Sequence, residues 1–394
     1  MTQATHAGKT PVGDQVLYMA LELSNTTWKM LFANGAGKRR EASVRARDVD
    51  GLMAAIATAK QRLKLSPDAR VICCQEAGRD GFWIDRALRA NGIESLMVDS
   101  SSIEVARRAR HRKTDRLDLV KLMSLLLRWA GGEARVWSVV RVPDEAAEDV
   151  RQLSRAIDRL KNERGQHRAR IKSLLATQGL QVSAVGGHDW GQRVAGLRRW
   201  NATPLGAQMQ RDLIAEGERL ALVERHLAEL KAVRDDLVAR SEAPAAVSAR
   251  QLAGLGAIAA ESSFVFATEL FGWRTFANRR ELAGSVGLAP TPFQSGDTAR
   301  EQGVSKSGNK RMRTMLIEIA WCWLRYQPAS ALSRWWQERF GKSGGRVRKS
   351  AIVALARKLL VALWHYLEHG VVPEGAKLKT RPEAKRQKTR EAVA

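Results

Sequence analysis

The stretch "QVLYMALEL" (15–23), followed closely by "TTWKMLFA" (26–33) and "REASVRAR" (40–47), decides the fold. Each is short, apolar or alternating, and separated from the next by turn residues, so the three predict a meander of strands. Beyond them the period changes. "DGLMAAIATAKQRLKL" places Leu52, Ile56, Ala59 and Leu63 at helical spacing, and "ARVICCQE" is a short buried strand. "DGFWIDRALRANG" reads as a helix ending at Gly92, "IESLMV" as another strand, and "KTDRLDLVKLMSLLLRWAGG" as a strong helix closed by glycines.

The order β-β-β-α-β-α-β-α is the layout of a ribonuclease-H-like α/β sandwich. After it the heptads begin. Val150, Leu153, Ile157, Leu160, Ile171 and Leu174 form one, with Arg164 and His167 at intervening positions. Leu213, Leu220 and Leu227 alternate with Val223, Leu230 and Leu237 in a second. The pair predicts an antiparallel coiled-coil hairpin, or arms for a partner chain, with His167 a tolerated polar position rather than a ligand.

From Ser248 onward the chain reads as mainly helical. Gly254 and Gly256 mark a tight turn, "RRELAGSVGL" a helix and "APTPFQSGDTAREQGVSKSGN" a loop. Two long helices follow, "KRMRTMLIEIAWCWLRYQ", with Trp321 and Trp323 as core, and "VRKSAIVALARKLLVALWHYL". The expected division is a flexible start at 1–14, an α/β domain at 15–144 and a coiled-coil region at 145–244. A C-terminal domain at 245–372 and a basic disordered tail at 373–394 complete it.

The 394 residues carry a formal charge of +25, an excess that points to a polyanionic partner. Cys73, Cys74 and Cys322 form no C-x-x-C pair, so neither a zinc site nor disulfides are expected, and Cys73 and Cys74 read as buried strand residues. The N-terminus has no apolar signal core, and no window approaches about 18 uninterrupted apolar residues, so a cytoplasmic, nucleoid-associated protein is expected.

Four acids sit where this layout converges. Glu22 and Glu76 end the first and fourth strands, and Asp115 and Asp118 open the last helix of the α/β domain, three residues apart on one face. Four hard carboxylates suit one or two Mg²⁺ ions, which activate a nucleophile and stabilise the leaving oxygen of a phosphodiester. Arg107, Arg108, Arg110, Arg112, Lys113 and Arg116 crowd the same segment and would neutralise phosphates.

"LELSNTTW", "QEAGRDGFWIDRAL", "KTDRLDLVKL", "LAGLG" and "SVGLAPTPFQSGDTAREQGVSKSGNKRMR", in that order, resemble the DEDD transposases of insertion sequences of the 110/1111 group, relatives of the pilin-gene inversion recombinase. The resemblance covers roughly residues 15 to 330. It implies a RuvC-like N-terminal domain, a C-terminal transposase domain with a nucleophilic serine, and Mg²⁺ as cofactor. It also implies homo-oligomers, dimer or tetramer, on element and target DNA, and a structured bridge RNA as guide. Carried over by position, the acids are Glu22, Glu76, Asp115 and Asp118, with Glu22 departing from the usual aspartate.

Ser295 in "FQSGDTAR" is the expected nucleophile, next to Gly296, with Arg300, Lys306, Lys310, Arg311 and Arg313 following to stabilise charge on phosphorus. Ser305 and Ser307 are rivals, although "SKSGN" reads better as a phosphate contact or a helix cap. Two alternatives stay open: a RuvC-like junction nuclease that uses water only, and a non-catalytic nucleic-acid-binding derivative.

Overall fold

The computed structural model describes residues 15–78, 80–103, 115–133, 136–295 and 298–379, with the side chains of 101, 115–117, 291–295 and 298–302 outside that description. The chain divides into two units after Pro143.

In the first unit β1 (Val16–Glu22), β2 (Thr27–Asn34), β3 (Arg39–Arg45), β4 (Arg70–Glu76) and β5 (Glu94–Val98) form one sheet in the order β3-β2-β1-β4-β5. β1 pairs antiparallel with β2 and parallel with β4. Side chains alternate between the faces of a strand, and the cores follow that rule. Leu17, Met19, Leu21, Val71 and Cys73 pack beneath α1 (Val49–Arg62) and α2 (Trp83–Ala90). Val16, Tyr18, Ala20, Ile72 and Cys74 pack beneath α3 (Asp115–Ala130) through Leu119, Leu122, Met123 and Leu126.

Burial on both faces explains why β1 and β4 read as continuous apolar runs, while edge strand β3 keeps alternating exposed Arg39, Glu41, Ser43 and Arg45. Truncating Leu122, which is 1% exposed, to Ala would remove about 2–5 kcal/mol. Cys73 and Cys74 are buried in the sheet, and burial pushes both thiols well above the ordinary range.

The second unit opens with α4 (Glu145–Ala176), whose N-cap Asp144 accepts from the Ala147 amide at 2.7 Å. It packs against α6 (Ala207–Arg240). Arg170 meets Glu216 while Arg168 meets Glu224, so the two run antiparallel. The seam is not a uniform heptad. At its far end Ile171, Leu175, Leu213 and Leu220 enclose Trp190 of α5 (Trp190–Gly196). At its base Val150, Leu153 and Leu237 pack instead on Ala245, Ala249 and Phe264. His167 is buried and bonded to Glu216 at 2.7 Å. The guanidinium groups of Arg170 and Arg219 reach the same carboxylate.

The remaining helices are α7 (Pro244–Ala253), α8 (Ala260–Phe266) running into a π turn at Ala267–Phe271, α9 (Arg279–Ser285), α10 (Lys310–Tyr326), α11 (Ala331–Phe340) and α12 (Gly345–His369). They share one core built on Trp323, Trp336, Leu355 and Leu359. α12 is long and apolar enough to cross a membrane by length and composition, and here its Ile352–Leu363 face is packed in that core.

Four expectations change. The predicted loop at 289–309 contains a hairpin, β6 (Pro290–Ser295) against β7 (Thr298–Val304). Residues 331–340 form α11, which the sequence reading did not anticipate. Trp321 is 39% exposed, its ring edge-on to Trp336, rather than core. Glu374–Lys379, assigned to a disordered tail, is pinned by its backbone: Lys377 bonds Gln327 and Gly256, and the Lys379 amide donates to the Gly254 carbonyl. The turn at Gly254 and Gly256 therefore holds the chain's own C-terminal segment.

Candidate active site

In the first unit the sheet positions two acids directly. Leu21 is in register with Gln75, so Glu22 and Glu76 occupy the next position on neighbouring parallel strands, about 4.8 Å apart at the backbone. Both continue the even-numbered face that packs on α3, and both are half-buried. Asp118 is half-buried in the first turn of α3, one turn before Leu122, whose carbonyl accepts from Cys74 Sγ at 3.7 Å. Asp115 is the first residue of α3. The side chains of Asp115 and Arg116 lie outside the described residues, as do Arg107, Arg108, Arg110, Arg112 and Lys113. Among the described residues no group of three His, Cys, Asp or Glu side chains closes on a point that could hold a metal. The donor set is nonetheless all carboxylate, the chemistry a hard divalent cation takes.

In the second unit Ser295 ends β6 and pairs with Thr298, leaving a two-residue connection, Gly296–Asp297, outside the described residues. The side chains of Ser295 and Arg300 are outside them too. The base of the hairpin is well defined. The Ser305 amide donates to Ala289, Lys306 to Gly287 and Asn309 to Ser285. Gly287 and Gly308 hold φ of +69° and +83°, and a Cβ at either would strike a carbonyl of the opposite segment, Ser307 and Ser285 respectively. Arg313 donates to the Val286 carbonyl at 3.1 Å. Lys306 and Lys310 are exposed and have no ion pair among the described residues. Ser305 and Ser307 bond one another at 3.2 Å, and the cap of α10 is Asn309, whose Oδ1 accepts from the Met312 amide.

Behind this motif lies a centre the sequence reading missed. The Glu269 carboxylate is fully buried and receives Arg151, Arg155, Arg311 and Asn309 at 2.8–3.3 Å. Burial pushes its pKa up, but the Arg155 hydrogen bond and the charges of Arg151, Arg155 and Arg311 outweigh that and hold it at about 2. Arg311 also reaches Asp158 and both oxygens of Ser154, so its guanidinium is taken up within the fold. Arg151 lies over the Trp273 ring, which Arg274 also covers. The available signal was arginines at 151, 155 and 311 facing an otherwise apolar "FVFATELFGW".

Residues 249–335 match the family described as Transposase IS116/IS110/IS902. Along nearly its whole length the chain also aligns with y4rJ, a transposase candidate of Sinorhizobium fredii: 41% identical over 379 residues, 92% of this chain and 95% of the relative. The chain belongs to the IS116/IS110/IS902 family of transposases. A second S. fredii transposase candidate, y4qE, is 32% identical over 260 residues, 66% of this chain and 60% of that protein. The transposase of insertion sequence IS1328 from Yersinia enterocolitica is 29% identical over 122 residues, 30% of this chain and 34% of that one. This transposase is therefore a DNA-processing enzyme of an insertion sequence, and the matched segment contains both the hairpin and the Asn309–Glu269 centre.

Proposed function

We propose that this transposase cuts and rejoins DNA through a covalent serine intermediate, with a RuvC-like acidic site in the first unit and Ser295 in the second. The observation that carries the reading is the register of β1 against β4, in which Glu22 and Glu76 stand side by side on the face beneath α3. The sheet order β3-β2-β1-β4-β5 supports the ribonuclease-H-like assignment.

Glu22, Glu76, Asp115 and Asp118 would hold Mg²⁺, which when bound supplies Lewis-acid polarisation of the scissile phosphate. Ser295 Oγ attacks phosphorus and loses its proton. The O–P bond to serine forms, the bond to the leaving sugar oxygen breaks, and that oxygen leaves as a hydroxyl. The ester keeps its bond energy, so a new hydroxyl completes strand exchange without an external energy source. Exposed Lys306 and Lys310, with Arg300, are placed in sequence to contact the DNA phosphates. A structured bridge RNA as guide and a dimer or tetramer as the working form belong to the same proposal, as does an intracellular setting.

The test is strand cleavage on supercoiled DNA carrying the element's junction, in the presence of the RNA transcribed from the element's non-coding flanks, with and without Mg²⁺, for the parent, Asp118→Asn and Ser295→Ala. The reading expects cleavage by the parent only with Mg²⁺ and none by either variant. Cleavage that survives Ser295→Ala would identify a water-using nuclease, and no cleavage under any condition a non-catalytic nucleic-acid-binding protein.

A further inference from the structure

Residues 339–367 contain seven Lys and Arg and no acid. They cover the end of α11, the turn that follows and most of α12, and they lie beyond the 249–335 segment that matches the family. None of the seven is ion-paired among the described residues, and Arg348 Nε is buried without a hydrogen-bond partner there.

Their placement works against the helix. α12 begins at Gly345 with no side-chain cap and no acid in its first turn, and Arg346, Arg348 and Lys349 follow immediately. A helix N-terminus carries partial positive charge, so cations there oppose the dipole and one another. The inner side of α12 is fixed by Ile352, Leu355, Ala356 and Leu359; Arg346 and half-buried Arg357 lie toward the outer side, and exposed Lys349, seven residues before Ala356, sits on the flank beside them. Arg346 and Arg357 stand about 16 Å apart along the axis. The neighbouring rings hold other cations in place: Arg339 and Lys358 lie over Trp335 at 5.7 and 4.7 Å, and Arg348 over Trp336 at 5.3 Å.

We infer that this side of α12, with Lys342 in the turn before it, is a docking surface for the backbone of duplex DNA. Charge complementarity selects a polyanion. A cationic flank on a rigid helix selects a duplex over a single strand, because Trp336 is buried and the Trp335 ring is covered by Arg339 and Lys358, which leaves neither as a platform for unstacked bases. The inference rests on the reading of the protein as a DNA-acting transposase and adds a binding surface to it.

The test compares the full-length protein with the triple variant Arg346→Gln, Lys349→Gln, Arg357→Gln, measuring affinity for a random-sequence duplex DNA across a salt series. For every phosphate no longer neutralised, the slope of log affinity against log salt falls by about 0.9. The expected result is a slope shallower by about 2–3 and affinity reduced at least about tenfold at about 0.15 M salt. Thermal unfolding in the absence of DNA is expected at an unchanged or higher midpoint, since helix-end repulsion has been removed. An unchanged slope, or a loss confined to duplex RNA, or a change in self-association with DNA binding intact, overturns the inference alone. A parent protein that binds no duplex DNA overturns the underlying reading as well.

Discussion

Asn309 caps α10 with its Oδ1 and with its Nδ2 donates, at 3.0 Å, to the buried carboxylate of Glu269. One side chain thus ties the "SKSGN" motif to a charge centre on the π turn after α8. The arginines that complete that centre come from α4 and α10, so the helix that begins the second unit and the motif that follows the serine hairpin share one anchor.

Glu269→Gln removes the anion that three converging guanidinium groups share. Breaking a buried pair this way costs about 3–5 kcal/mol. Urea unfolding at neutral pH should show a loss of that order, and a change under about 1 kcal/mol would mean that Arg151, Arg155 and Arg311 find other partners.

The same residue sets an acid limit. Its folded pKa, about 2, lies below the ordinary carboxylate value, so its contribution is complete above pH ~4.5 and fades as pH falls toward 2. Unfolding free energy followed through that window should decline more steeply in the parent than in Glu269→Gln. Parallel profiles would contradict the assignment.

A close approach governs the far end of the α4–α6 pair. Gly217 on α6 faces Trp190 so nearly that a Cβ there would collide with the indole, whose Nε1 donates to the Leu213 carbonyl at 2.7 Å. Gly217→Val is expected to destabilise by about 1–3 kcal/mol. Hydrogen exchange should rise first at residues 180–206, and uniform exchange across the chain would show that this end has no local core of its own.

Glu22 offers a test by length. Glu22→Gln removes the charge and should lower strand cleavage about a hundredfold or more, the scale of several kcal/mol of transition-state stabilisation. Glu22→Asp keeps the carboxylate and should retain most of the activity. Full activity in Glu22→Gln would remove this residue from the acidic site.

Much of the first unit was legible because its strands and helices carry their periods openly: β1 and β4 as apolar runs, α1 and α3 as helical stripes. That Glu22 and Glu76 end neighbouring strands was expected from the layout, whereas their residue-by-residue register was not, since it is a pairing between residues 54 positions apart in sequence. The hairpin at Pro290–Val304 was missed because prolines and polar residues interrupt its alternation, though Gly296–Asp297 between two runs is a recognised hairpin signal. Glu269 was hidden by its apolar neighbours, for a buried charge looks like an interruption until its arginines are folded onto it. The docking of Glu374–Lys379 rests largely on backbone hydrogen bonds, to which composition is blind.

The serine intermediate is tested most directly by mass. The transposase incubated with Mg²⁺, junction DNA and the RNA transcribed from the element's non-coding flanks, then denatured and digested with nuclease and protease, should yield a peptide containing Ser295 that carries a nucleotide on its hydroxyl. The same mass increment on Ser305 or Ser307 would move the nucleophile, and cleaved DNA without any nucleotide-bearing peptide would contradict the covalent mechanism.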